Sequence, residues 1–185
     1  MPALKRGRAG NSMNLPNKLT LLRVFMIPVC LLLWALGLKY PAAAVFVLAA
    51  ATDFLDGYIA RKKNLVTVFG KFADPVADKI LVLTAMIFLC ADGRLPAWAV
   101  SVVAARELMV DGLRLVAVGK GSVIAAGWAG KIKTNLQYFC VVSAMLLPQG
   151  HWLTLVFTIA MAALTVYSGF QDIWGHRALF KEGGM

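Results

Sequence analysis

Acidic residues are scarce in this chain, nine Asp and Glu against nineteen Lys and Arg in 185 residues. Cysteine is scarcer. Cys30, Cys90 and Cys140 stand alone inside apolar runs with no paired spacing, which excludes a disulfide framework and a cysteine-built metal site and reads as small core hydrophobes. The two histidines, His151 and His176, fall near predicted helix ends and in no metal-ligand spacing. Internal repeats and low-complexity segments are missing as well.

What is abundant is apolar surface. Hydrophobic residues make up 60% of the chain and the mean hydropathy is +0.74, well above the roughly 45 to 50% apolar content of a soluble domain. Windows of about 20 apolar residues predict spans at Leu19 to Leu38, Ala42 to Ala60, Val76 to Ala91, Ala97 to Val118, Ile132 to Leu147 and Trp152 to Gly169. The expectation is an all-α, polytopic integral membrane protein of about six transmembrane helices. A basic juxtamembrane segment (1–16) precedes a single transmembrane domain (17–175), and a short tail follows (176–185). A cleaved signal peptide is disfavoured, because the first apolar run is too long for an h-region and further spans follow it. Trp98, Trp128, Trp152 and Trp174 near the span ends fit an aromatic belt.

The net charge of +10 is unevenly placed. Lys5, Arg6, Arg8, Lys18 and Arg23 lie at the start, Arg61, Lys62, Lys63 and Lys71 in the second connection, Lys120, Lys131 and Lys133 around the fourth, and Arg177 and Lys181 at the end. The alternate connections hold only Lys39 and Arg94. This is the asymmetry of a protein with both termini on the cytoplasmic side. It argues for anionic membrane lipids as partners and against nucleic acid.

Four of the nine acids form one pattern: Asp53-x2-Asp56-Gly57-x2-Ala60-Arg61-x8-Gly70-x3-Asp74-x3-Asp78. A carboxylate at mid-bilayer costs roughly 2.5 to 3.5 kcal/mol to insert, so four together need a compensating partner. On a helix Asp53, Asp56, Gly57 and Ala60 fall at i, i+3, i+4 and i+7, a stripe of two carboxylates beside two minimal side chains. Small residues there also let helices pack closely, but between carboxylates they leave a groove, and Arg61 places a cation suited to phosphate at its mouth. Gly70, Asp74 and Asp78 repeat at i, i+4 and i+8. Pro75 after Asp74 also suits a helix start with Asp74 as its cap, which leaves Asp78 unexplained. Two pairs of carboxylates make an all-oxygen site for hard cations, Mg²⁺ or Mn²⁺, and two such ions neutralise four charges. Paired divalent ions are suited to phosphoryl transfer.

Two further polar sets stand out. Asn17, Thr20 and Arg23 align on one side of the first helix, as a cap with snorkelling cations or as a stripe facing the ladder. The fourth span carries Arg106, Glu107, Asp111 and Arg114, either pocket residues or internal pairs, Arg106 with Glu107 and Asp111 with Arg114. Gly127 to Asn135 then opens the fifth span with Lys131, Lys133 and Thr134 near a helix N-terminus, a setting that favours anions. Two arginines and two lysines near the ladder point to an acceptor that is itself anionic, most simply a phosphate monoester.

The ladder resembles the signature of the CDP-alcohol phosphatidyltransferase family, with all eight fixed positions present. The resemblance implies the family's six-span fold and a homodimer. It also implies a reaction in which a CDP-linked lipid binds by its pyrophosphate to two divalent cations, an acceptor alcohol attacks the lipid-side phosphorus, and CMP leaves. Asp53, Asp56, Asp74 and Asp78 would be metal ligands and Asp78 also the general base. Gly57, Ala60, Arg61 and Gly70, with Asn17 and Thr20, would receive the cytidine diphosphate. Ala105 to Leu108, Ala126 to Thr134 and Asn14 to Thr20 are similar to the branch that joins CDP-diacylglycerol to sn-glycerol 3-phosphate, where Arg106, Arg114, Lys131, Lys133 and Thr134 would clamp the acceptor phosphate. Sister branches using inositol phosphate or phosphatidylglycerol are the nearest rivals. A divalent cation transporter and a catalytically silent lipid-binding scaffold are rivals from other classes. The expected location is the inner cell membrane with the active site facing the cytoplasm.

Overall fold

A computed structural model describes residues 15–63, 68–119 and 128–177, and the side chains of 19–52, 76–119 and 128–177 apart from Ala129 and Lys131. Among them the only regular structure is six α-helices: α1 (Leu15–Ala35), α2 (Lys39–Lys63), α3 (Val68–Ala91), α4 (Ala97–Gly119), α5 (Trp128–Leu146) and α6 (Trp152–Gly175). The six apolar windows each find a helix. The basic segment through residue 14 and the tail from 178 lie outside the described residues.

Two tight turns set the antiparallel neighbours. At the end of α1 the amide of Gly37 donates to Trp34 O (2.9 Å) and that of Leu38 to Leu33 O (3.0 Å). At the end of α3 Gly93 and Arg94 repeat the pair on Cys90 and Leu89. Both glycines have positive φ, 77° and 70°, the left-handed conformation that this helix stop demands and that a Cβ would strain. The histidines act as caps: His151 Nδ1 accepts from Leu153 N at the start of α6, and His176 closes its end.

α1 packs along α2 and α3, α4 along α6, and α5 against α2, α3 and α6. Their shared core is rich in alanine (Ala42, Ala43, Ala49, Ala85, Ala99, Ala144) around larger plugs such as Phe46, Met86 and Met161, all three fully buried. Small residues let helix backbones approach closely where no aqueous hydrophobic effect drives association. Cys30 and Cys140 are buried in this core and Cys90 is half-buried, all three as free thiols. Phe25, Leu108, Leu115 and Phe170 point outward, each more than half exposed.

Among the residues whose side chains are described, one helix, Trp152–Gly175, is long and apolar enough by itself to cross a membrane, and the described parts of α1 and α2, Leu19–Ala35 and Lys39–Thr52, are apolar as well. The mid-section of α4 carries Arg106, Glu107, Asp111 and Arg114, four charges that lower its hydropathy.

One expectation is corrected. α3 begins at Val68, so Asp74 and Pro75 lie well inside the helix and Asp74 is not its N-cap. Proline after an aspartate suits a helix start, but here the helix is already under way two turns earlier.

Candidate functional site

On α3, Asp78 and Lys79 stand side by side one turn from Val82 and Leu83. On α4, Arg106 and Glu107 share a face with Val110, Asp111 and Arg114 through i+3 and i+4 steps. On α5 the same spacing joins Gly130, Lys133, Thr134, Gln137 and Tyr138, and on α6 it joins Gly169 to Asp172. Packing turns these stripes toward one another.

Glu107 is the hub. It is 4% exposed, pairs with the equally buried Lys133, and lies 3.6 Å from Lys79 Nζ and 3.7 Å from Arg106 Nη1. Lys79 also pairs with Asp111. Arg106 Nη2 reaches Asp172 Oδ2 at 2.7 Å. Here the sequence expectation splits: Arg106 does meet Glu107, whereas Asp111 is paired with Lys79 and not with Arg114. Asp111 and Arg114 sit three apart on one helix, but a cation from the neighbouring helix reaches the carboxylate first.

Among the described residues, four cations (Lys79, Arg106 and Lys133 in ion pairs, with Arg114 lining the same cavity) stand against three paired carboxylates (Glu107, Asp111, Asp172), one positive charge in excess. Among the described residues Arg106 Nε and Arg114 Nε are buried and find no hydrogen-bond partner. Donors left unsatisfied at a positive site favour an incoming anion.

Two cavities of about 90 Å³ each flank this network. Lys79, Glu107, Lys133 and Thr134 form the wall common to both. Asp78 and Gln137 line the first; Arg106, Arg114, Gly130 and Asp172 line the second. Thr134 turns its hydroxyl to Gly130 O at 3.1 Å. Tyr138 donates its hydroxyl to Asp78 Oδ1.

The rest of the ladder is placed by backbone alone. α2 runs unbroken through Asp53, Asp56, Gly57, Ala60 and Arg61, which meets the condition for their common stripe. Gly70 and Asp74 fall in α3, two turns and one turn before Asp78. Their side chains, and those of Asn17 in α1 and Lys131 in α5, lie outside the described residues. Thr20 and Arg23 are buried on α1, and Arg23 Nε donates to Ala49 O at 3.3 Å, one turn before Asp53. α2 packs against α3, and the sequence puts two aspartates on each helix at helical spacing, the donor chemistry that suits hard divalent cations.

Lys79, Gln137, Tyr138 and Asp172 are site residues that sequence reasoning passed over. Lys79 and Asp172 carried a usable signal, a charge inside an apolar helix. Tyr138 and Gln137 carried none.

A family model described as CDP-alcohol phosphatidyltransferase matches residues 13–167. The chain is 44% identical to a Bacillus subtilis (strain 168) protein named CDP-diacylglycerol--glycerol-3-phosphate 3-phosphatidyltransferase, over 91% of this chain and 95% of that one. It is 42% identical to the protein of the same name from Rickettsia prowazekii (strain Madrid E), over 85% and 92%. A Mycobacterium tuberculosis (strain ATCC 25618 / H37Rv) protein named probable phosphatidylglycerophosphate synthase is 40% identical, over 93% and 85%.

Proposed function

Since this chain belongs to the CDP-alcohol phosphatidyltransferase family, we propose that it transfers the phosphatidyl group of CDP-diacylglycerol to sn-glycerol 3-phosphate, giving phosphatidylglycerophosphate and CMP. The names of its relatives state this chemistry for them over most of both chains. The observation that carries it to this site is the shared wall: a cavity holding Asp78 adjoins one holding Arg106 and Arg114. An acceptor with a hydroxyl at one end and a phosphate at the other matches that pair of compartments.

Arg106, Arg114 and Lys133, with Lys131 and Thr134 on the same helix face or turn, hold the acceptor phosphate. Holding it converts a bimolecular encounter into a positioned attack. Asp78 takes the proton from the acceptor hydroxyl, whose oxygen bonds to the lipid-side phosphorus as the bond from that phosphorus to the CMP oxygen breaks. Asn17, Thr20, Gly57, Ala60, Arg61 and Gly70 form the cytidine diphosphate site. Asp53, Asp56, Asp74 and Asp78 hold two divalent cations, Mg²⁺ or Mn²⁺, which when bound neutralise the diphosphate and acidify the attacking hydroxyl. The six helices form one multi-pass domain of the inner cell membrane with this site on the cytoplasmic side, and the working form is a homodimer.

The test is CMP release by purified protein supplied with CDP-diacylglycerol and one acceptor at a time. Release with sn-glycerol 3-phosphate, and far less with inositol phosphate or phosphatidylglycerol, is the expected result. Preference for inositol phosphate would reassign the acceptor, and Mg²⁺ flux in liposomes without lipid turnover would replace the enzyme by a transporter.

A further inference from the structure

Tyr138 joins three helices at the reacting end of the site. Its hydroxyl donates to Asp78 Oδ1 on α3 across 60 residues of chain. Its ring leans on Phe46 of α2, centroids 6.0 Å apart and planes 53° apart. Phe46 is fully buried and lies two turns before Asp53 on the same helix. One turn before Tyr138 on α5 is Thr134, part of the wall shared by both cavities.

A carboxylate on a helix turns easily about its Cβ–Cγ bond, a broad torsion with shallow wells. A hydroxyl donated to one named oxygen removes that freedom and sets where both oxygens point. The donor here is itself held, because the tyrosine ring rests against a fully buried side chain. We propose that Tyr138 is a positioning residue for Asp78: it orients the carboxylate that receives the acceptor's proton, and it couples that orientation to the α5 face on which the acceptor phosphate is held. This rests on the reaction proposed above. A bond that served only to tie α5 to α3 would contribute to stability and leave turnover of the folded protein unchanged.

Tyr138→Phe removes the hydroxyl and keeps the ring on Phe46. In the purified full-length protein kcat is expected to fall about 10- to 100-fold, with KM for CDP-diacylglycerol and for sn-glycerol 3-phosphate within about twofold of wild type, the signature of an interaction that matters to the transition state. Wild-type kcat would overturn the inference and leave the reaction standing. A wild-type protein that releases no CMP with any acceptor would overturn the reaction and this inference with it.

A second readout needs neither substrate nor metal. The chain has four tyrosines, so fluorotyrosine labelling gives four ¹⁹F resonances, with that of Tyr138 assigned by its loss in Tyr138→Phe. Asp78→Ala should shift that line while those of Tyr40 and Tyr167 hold their positions. An unmoved Tyr138 line would show that the contact is absent. A Tyr138→Phe protein that loses activity while the Tyr40 and Tyr167 lines also move would show a packing role and sink the proposal.

Discussion

Arg106 and Asp172 meet at 2.7 Å across the α4 to α6 interface, 66 residues apart in the chain. The arginine stem lies close against Gly169: a Cβ there would stand 3.0 Å from Arg106 Cγ, so the stem would have to give way by a few tenths of an ångström. The guanidinium is thereby aimed into the cavity that it shares with Arg114 and Lys133.

Arg106→Ala should raise KM for sn-glycerol 3-phosphate by about 100-fold, the scale of one or two charge-assisted hydrogen bonds, with little change for CDP-diacylglycerol. Asp172→Asn, which leaves the arginine in place without its anchor, should raise the same KM by about tenfold. Steady-state kinetics with each substrate varied in turn checks both, and equal effects on the two substrates would count against an acceptor pocket.

Asp78→Asn should lower kcat by at least about 100-fold, the contribution typical of a general base. Binding of CDP-diacylglycerol, followed by equilibrium titration, should persist in part because most residues of the proposed nucleotide site lie on α1 and α2. Turnover at the wild-type rate would remove Asp78 from the chemistry.

Glu107→Ala strands Lys133, a cation 3% exposed, beside Lys79 and Arg106. Breaking a buried pair by deleting one partner costs about 3 to 5 kcal/mol. The melting temperature in detergent should therefore drop sharply, and a Glu107→Ala, Lys133→Met double variant should recover much of the loss.

Arg94 offers a control far from the site. Its Nη1 donates to Ala144 O (2.9 Å) and Leu147 O (3.0 Å), closing the end of α5, and its guanidinium lies over Trp34. Arg94→Ala should lower thermal stability by about 1 to 3 kcal/mol and leave both KM values within about twofold of wild type.

Removal of divalent cations by a chelator should abolish CMP release, and addition of Mg²⁺ or Mn²⁺ should restore it. Undiminished release in a metal-free sample would break the assignment of Asp53, Asp56, Asp74 and Asp78 as ligands.

Much of this protein is written in one dimension. Six apolar windows became six helices because hydrophobic length and turn glycines are local properties, readable without knowing any neighbour. The ladder is equally local: Asp53 to Arg61 share a stripe, and Gly70, Asp74 and Asp78 repeat each turn, once the backbone is helical. Tertiary packing alone decided which charge meets which. Lys79 takes Asp111, Arg106 takes Asp172 and Tyr138 takes Asp78, partners separated by 32, 66 and 60 residues. Such pairings depend on the rotation and offset of each helix against the next. Those are set by how alanines and plugs such as Phe46 and Met161 interlock across the core, and no periodicity in the chain encodes that fit.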